Sequence, residues 1–296
     1  MHDMELERHL PVVAAPHTAS NRPTALPLRV SGYAAMLLAA VIIGLPLYWM
    51  VIASFKVSSE IYTAPPTWIP LLPTLENYPR AWAAAPFGRY YINSLIVTGA
   101  ATFSKMLLAI MTAYALVFLR FPGRNLIFML ILAGLMVPQQ ILIVPNFLTI
   151  ADLGWVNTYQ GLIIPNAATT FGTFLMRQYL LTLPREVFEA AEIDGAGHLR
   201  RLWSVALPLA RPAVVTTGLF AIVSEWNEFL WPLIVTNIDE MRTLPIGVFR
   251  LFDSEGLANW GVIMAGTVFV VAPVVLFFAW AQRYIVEGIA AGAVKG

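Results

Sequence analysis

From Ser31 to Ala53 the chain runs through 23 residues without one charged side chain. About 20 apolar residues carry a helix across the hydrocarbon of a bilayer. Five more segments of that kind follow, so the expected spans lie at about 32–54, 91–118, 125–148, 158–178, 212–236 and 260–281. Backbone polar groups in lipid must bond inside the protein, which admits helices of this length. The expected fold class is all-α, a polytopic membrane protein with six transmembrane helices. Composition agrees: 12% of residues are charged, against about 25% in a soluble domain.

The N-terminus does not read as a secretory signal. Residues 1–30 carry Asp3, Glu5 and Glu7 and lack an apolar core. They are expected to form a flexible cytoplasmic tail, leaving 31–296 as the transmembrane domain. Cysteine is absent, so neither a disulfide framework nor a cysteine-ligated metal site can form. No metal site is expected. A net charge of +1 says nothing about nucleic acid, but the sequence lacks a basic, aromatic-rich patch, so no nucleic-acid partner is expected.

Lys and Arg placement orients the spans. With the N-terminus inside, twelve cations fall in inner segments and five outside, namely Lys56, Arg80, Arg89, Arg242 and Arg250. Both termini are then cytoplasmic, as is the longest inner loop, about 179–211. The outer segment 55–90 is rich in proline and aromatics, including Trp68, Tyr78 and Trp82. It reads equally as rings resting at the headgroup level or as a docking surface for an external partner.

Six prolines fall in or near spans: Pro46, Pro138, Pro145, Pro165, Pro232 and Pro273. Each removes a helix hydrogen bond, and together they favour a bundle bent around a pathway. Gly261 and Gly266 do not read as a small-residue packing seam. Lys105 lies near the middle of the second span, where a charge costs at least about 2.5–3.5 kcal/mol. Glu225 and Glu228 stand three apart on the fifth, on one helical face, with Trp226 and Asn227 between them. Two readings stand for this polar group: interhelical pairing of Lys105 with Glu225 or Glu228, or a lining of a translocation route.

The inner loop contains the most distinctive pattern. Pro184-Arg185-Glu186 can start a helix. Glu189, Glu192 and Asp194 then alternate with Val187, Phe188, Ala190, Ala191 and Ile193, giving an acidic and an apolar face. Gly195 and Gly197 permit a bend. A second amphipathic piece follows from His198, and Pro208 ends it.

Glu189-Ala190-Ala191, three residues, Gly195, nine residues, Val205, one residue, Leu207-Pro208 resembles the coupling motif of the membrane subunit of ATP-binding-cassette importers. Val205 stands where that family usually has Ile. The resemblance extends over all but residues 1–30 and is to the carbohydrate-uptake permeases of the maltose-transporter type. It is carried by Ser54-Phe55-Lys56, Asn77-Tyr78, Asn93-Ser94, Arg120-Phe121-Pro122, Phe174 to Gln178, Trp226 to Pro232, Gln282-Arg283 and Gly292 to Gly296.

The resemblance implies a type I importer permease fold in a bacterial inner (plasma) membrane. It implies that Glu189, Ala190, Ala191, Asp194, Gly195, Leu207 and Pro208 form the ATPase-coupling segment. Glu189 would make a charge-assisted contact, while Ala190, Ala191 and Gly195 would allow close packing. The implied partners are a second homologous permease subunit, a cytoplasmic ATPase dimer, an extracytoplasmic solute-binding protein, membrane lipid and a small-molecule substrate. The chain has no Walker A loop, so it is expected not to be an enzyme. ATP and Mg would sit on the partner ATPase, with no cofactor in this chain.

A neutral sugar or polyol is the preferred substrate class. Phe103-Ser104-Lys105 and Arg120-Phe121-Pro122 with Arg124-Asn125-Leu126 look like the glycerol-3-phosphate branch, which keeps sn-glycerol 3-phosphate as an alternative. A different class, a secondary transporter using Lys105 and Glu225 without an ATPase, also stays open.

Overall fold

The computed structural model describes residues 26–255 and 259–293. The expected tail, apart from the last residues before 31, lies outside them, as does Val294 to Gly296. Described residues form helices and turns only. Fifteen α-helices are numbered here in chain order: α1 Leu26–Ser54, α2 Ser58–Ile61, α3 Asn77–Ala84, α4 Phe87–Phe118 and α5 Arg124–Ala133. They continue with α6 Gln139–Asp152, α7 Tyr159–Ile163, α8 Thr170–Leu180, α9 Arg185–Ile193 and α10 His198–Arg201. The last five are α11 Leu207–Leu209, α12 Arg211–Trp226, α13 Leu230–Val235, α14 Leu244–Glu255 and α15 Trp260–Ala293.

Three described helices are long and apolar enough to cross a membrane: Val30–Ser54, Phe87–Phe118 and Trp260–Gln282. The number reaches five if two bent helix pairs each count as one span. The chain is therefore an all-α polytopic membrane protein. The expected spans at 125–148, 158–178 and 212–236 are each interrupted, for local reasons. Val137 precedes Pro138 and is extended (φ −86°, ψ 116°), as the proline ring demands. The pieces on either side, Arg124–Met136 and Gln139–Asp152, meet at 99°. In the fourth segment the hydroxyls of Thr158 and Thr169 accept from the N–H groups of Gly161 and Gly172, at 3.2 and 3.1 Å. Each caps a new helix, and Pro165 opens the short 3-10 turn between them. The fifth segment stops at Trp226 and resumes at Leu230 with Pro232 in its first turn, where the missing N–H has no intrahelical partner to lose.

Helix α4 is the axis of the packing. Its Phe87 and Tyr90 join Trp226, Leu244, Leu251, Val262 and Ile263 in one buried cluster. Its Val97 joins Ile150, Leu162, Trp231 and Val235 in a second. Its Ile110, Ala113 and Tyr114 join Met176, Leu180, Phe188 and Leu202 in a third. Asn93 and Ser94 hold the segment before α14 against α4. The Asn93 amide donates to the carbonyls of Glu240 and Arg242, both at 2.8 Å, and the Ser94 hydroxyl accepts from Leu244 N–H at 2.8 Å.

The segment 55–76 is organised by buried polar groups. Lys56, one of the five outer cations, is fully buried and donates to the carbonyl and hydroxyl of Thr67. The Asn77 amide donates to the carbonyls of Ser54 and Lys56, at 2.9 and 2.8 Å, and so finishes the end of α1. Gly261 lets α15 approach that amide. A Cβ there would lie 2.6 Å from Asn77 Nδ2, so this glycine is a packing contact that its spacing to Gly266 did not announce.

Glu60 is buried in the same segment and accepts from the Thr67 hydroxyl and from Leu71 N–H, both at 2.9 Å. Burial alone would push its carboxyl up, but the Leu71 N–H, the Thr67 hydroxyl, the Leu72 N–H and the Lys56 charge outweigh it and hold the value below the ordinary one. The stabilisation from a lowered carboxylate is complete above its unfolded value, about 4.3, and is lost as pH falls through the folded value. Exchange of the Leu71 and Leu72 amides, corrected for intrinsic rate, is therefore expected to accelerate in the native chain only on the acid side of the ordinary carboxylate value. In Glu60→Gln it should be fast throughout and lack that step. A native chain without the acid step would remove Glu60 as the organiser of the segment.

Candidate functional site

Helix α9 starts after Pro184, with Glu186 in its first turn, where a carboxylate favours the helix dipole. Only Phe188 is fully buried. It stacks on Phe118 at the end of α4, with ring centroids 4.1 Å apart and planes at 29°. Ala191 is half-buried, while Glu189, Ala190, Glu192 and Asp194 are exposed. The expected two-faced pattern is thus narrower than its composition. Val187 and Ile193 are exposed with the acidic residues, Ile193 at 87%.

The helix closes with a Schellman turn. The N–H of Gly195 donates to the Glu192 carbonyl and that of Ala196 to the Ala191 carbonyl, each at 2.9 Å. Gly195 has φ +78° and open space where a Cβ would stand. Backbone conformation requires glycine here, at the bend that Gly195 was expected to permit. Beyond the turn, Arg201 is buried and returns to α9, with Nη1 2.6 Å from Glu192 Oε2. Its Nη2 lies 3.1 Å from His198 Nδ1. Leu199 and Trp203 project outward at 68% and 52% exposure.

A π-helical turn, Leu202–Ala206, leads into α11. Pro208 has no N–H for the Ser204 carbonyl and would crowd it in a regular helix; the wider turn accommodates the ring. Leu207 is half-buried and Pro208 exposed. The chain then bends by 84° into α12. Leu202, Ala206 and Ala210 anchor the whole segment to the third core cluster, beside α4 and α8.

At mid-height on α4, Lys105 forms an ion pair with Glu225 of α12, their side chains 11% and 5% exposed. Glu228 does not share this cation. Because α12 ends at Trp226, Glu228 lies past the helix and accepts from Trp231 N–H at 3.2 Å. The two carboxylates expected on one helical face are thus parted by the break between α12 and α13. Trp226 donates through Nε1 to the Val270 carbonyl of α15 at 3.0 Å, and the Asn227 amide donates to the Val223 carbonyl at 2.8 Å. A cavity of about 460 Å³ opens beside Lys105, lined also by Gln139, Thr169, Thr170, Thr217 and Ser224. A second, of about 170 Å³, is lined by Gln139, Gln140, Asn146, Asn166, Glu228 and Trp231.

Sequence reasoning missed the Glu192–Arg201 tie, since the two stand nine positions apart in a loop and no helical spacing relates them. It also missed a groove of about 780 Å³ beside α9, lined by Arg120, Arg124, Arg185, Glu189, Glu192 and Arg201. The Arg120-Phe121-Pro122 motif was the available signal. Among the described residues no group of three or more His, Asp or Glu is placed to hold a metal ion.

A polytopic helical chain with an exposed, capped helix beside its central span is the form of a transport-system membrane subunit. Residues 105–290 match the family described as binding-protein-dependent transport system inner membrane component, and the chain belongs to that family of ABC-importer permeases. It is 34% identical over 261 residues to the sn-glycerol-3-phosphate transport system permease protein UgpE of Yersinia pestis, covering 86% of this chain and 93% of that one. To the protein of the same name from Brucella abortus it is 34% identical over 266 residues, covering 87% and 94%. The fold is similar to a chain in the crystal structure of a bacterial ABC transporter involved in the import of the acidic polysaccharide alginate. That similarity has a TM-score of 0.76 at 24% identity, over 88% of this chain and 98% of the other. A family of membrane components is not catalytic, and the permease assignment replaces the reading as a free-standing secondary transporter.

Proposed function

We propose that this chain forms half of the translocation pathway of an ATP-driven importer and that α9 docks on a cytoplasmic ATPase. The observation that carries the reading is α9 itself. Glu189 and Ala190 are exposed on a helix that Phe188 pins to α4. Apolar Ile193, Leu199 and Trp203 are exposed beside them, and exposed apolar groups clustered on a loop mark a contact surface. The partners in this reading are a second permease subunit, an ATPase dimer that holds ATP and Mg, and an extracytoplasmic solute-binding protein. The six spans, the cytoplasmic termini and a location in the bacterial inner membrane belong to the same proposal, supported by the inside excess of Lys and Arg.

The substrate in this reading is a sugar or polyol. The names of the relatives favour sn-glycerol 3-phosphate as a second reading of the same importer type. Glu189→Lys is the test of coupling. The side chain is exposed, so folding should be unchanged, while co-purification of the ATPase and solute-stimulated ATP hydrolysis should fall at least about tenfold, the equivalent of one charge-assisted hydrogen bond. Normal assembly and hydrolysis in that variant would overturn the docking role of α9.

A further inference from the structure

Resting on the permease reading, we infer that Glu225 and Glu228 act as specificity residues that keep anionic solutes out of the cavities beside α12, which suit an uncharged polyhydroxylated solute. Lys105 is the only cation lining either cavity among the described residues. It is the one side chain there whose charge could attract a phosphate or carboxylate, and Glu225 already occupies it. Glu228 lines the smaller cavity and makes no ion pair among the described residues. One cation held by one carboxylate, with a second carboxylate nearby, leaves an excess of negative charge. A low-dielectric wall strengthens that repulsion.

The remaining polar lining is amide and hydroxyl, set among aromatic and aliphatic side chains. Gln139 belongs to both cavities and joins Asn146, Asn166 and Trp231 of the smaller one to Thr170 and Thr217 of the larger. Thr217 is 2% exposed and its hydroxyl has no protein partner. A buried hydroxyl normally finds one, so this group is open to a ligand. Paired donors and acceptors beside an aromatic ring match the hydroxyls and apolar faces of a polyol or sugar. The larger volume lies within the roughly 300–1,000 Å³ common for small-molecule sites.

The test is equilibrium binding of radiolabelled sn-glycerol 3-phosphate to the full chain in lipid nanodiscs, with inorganic phosphate as competitor. The native chain should show no saturable, phosphate-competed binding. Glu225→Gln unpairs Lys105 and should gain about tenfold or more in affinity, the worth of one charge-assisted hydrogen bond. Glu228→Gln leaves the ion pair in place, guards against a folding failure in the first variant, and should gain less. Competed binding in either folded variant but not in the native chain supports the inference. Phosphate-competed binding by the native chain, or no gain in either variant, overturns it. Normal ATPase assembly and hydrolysis in the Glu189 experiment would sink the docking reading and leave this binding result standing, so the two failures are distinguishable.

Discussion

Lys105→Met is expected to lower the stability of the chain by about 3–5 kcal/mol, the cost of stripping a buried carboxylate of its partner. Glu225 is 5% exposed at its side chain and receives no other cation among the described residues. The double variant Lys105→Met/Glu225→Met should recover most of that loss, because well-packed apolar residues often replace a buried pair at no net cost. Each half of the pair spends desolvation energy that the other returns, and removing both removes the need. Unfolding in detergent, followed by the emission of the nine tryptophans, gives the two values. A double variant as unstable as the single one would show that the pair contributes through its geometry, as a clasp between α4 and α12.

Gly195→Val is expected to abolish coupling while leaving the membrane bundle folded. At φ +78° a side chain is strained even though the space around it is open. The strain, about 1–2 kcal/mol or more for a branched residue, falls on the Schellman turn and not on the core. The turn should unwind, carrying Asp194 and the end of α9 away from their places. ATPase assembly and solute-stimulated hydrolysis should fall at least about tenfold. Gly195→Asn should restore much of the activity, since asparagine tolerates the left-handed region. If Asn were as damaging as Val, the glycine would be required by the partner's surface and the conformational argument would fail.

The start and end of α9 were legible because their signals are local. Pro184, Glu186 and Gly195 mark start and stop within a dozen residues, and the structure uses each at its place. The interrupted spans were harder to read. Hydropathy over about 20 residues counts apolar side chains and gives no weight to Thr158 and Thr169, whose hydroxyls start new helices. The partner of Lys105 was narrowed to two carboxylates. The choice depended on where α12 ends, which turns Glu228 toward Trp231. The burial of Lys56 was not legible because a charge count cannot see a carbonyl and hydroxyl of Thr67 folded around an ammonium.

The continuity of α4 has a mechanical consequence. Its 32 residues run without a break past all three buried clusters, from Phe87 to Phe118. An unbroken helix resists bending far better than one interrupted by proline or a lost hydrogen bond. The neighbouring segments are interrupted at Val137 and again at Asn227. A displacement imposed on Phe188 is therefore delivered through Phe118 to a stiff strut, and compliance resides in the jointed helices around it. In the proposed docking the load path would start at α9, and the yielding joint at Val137 lies in the wall of the larger cavity.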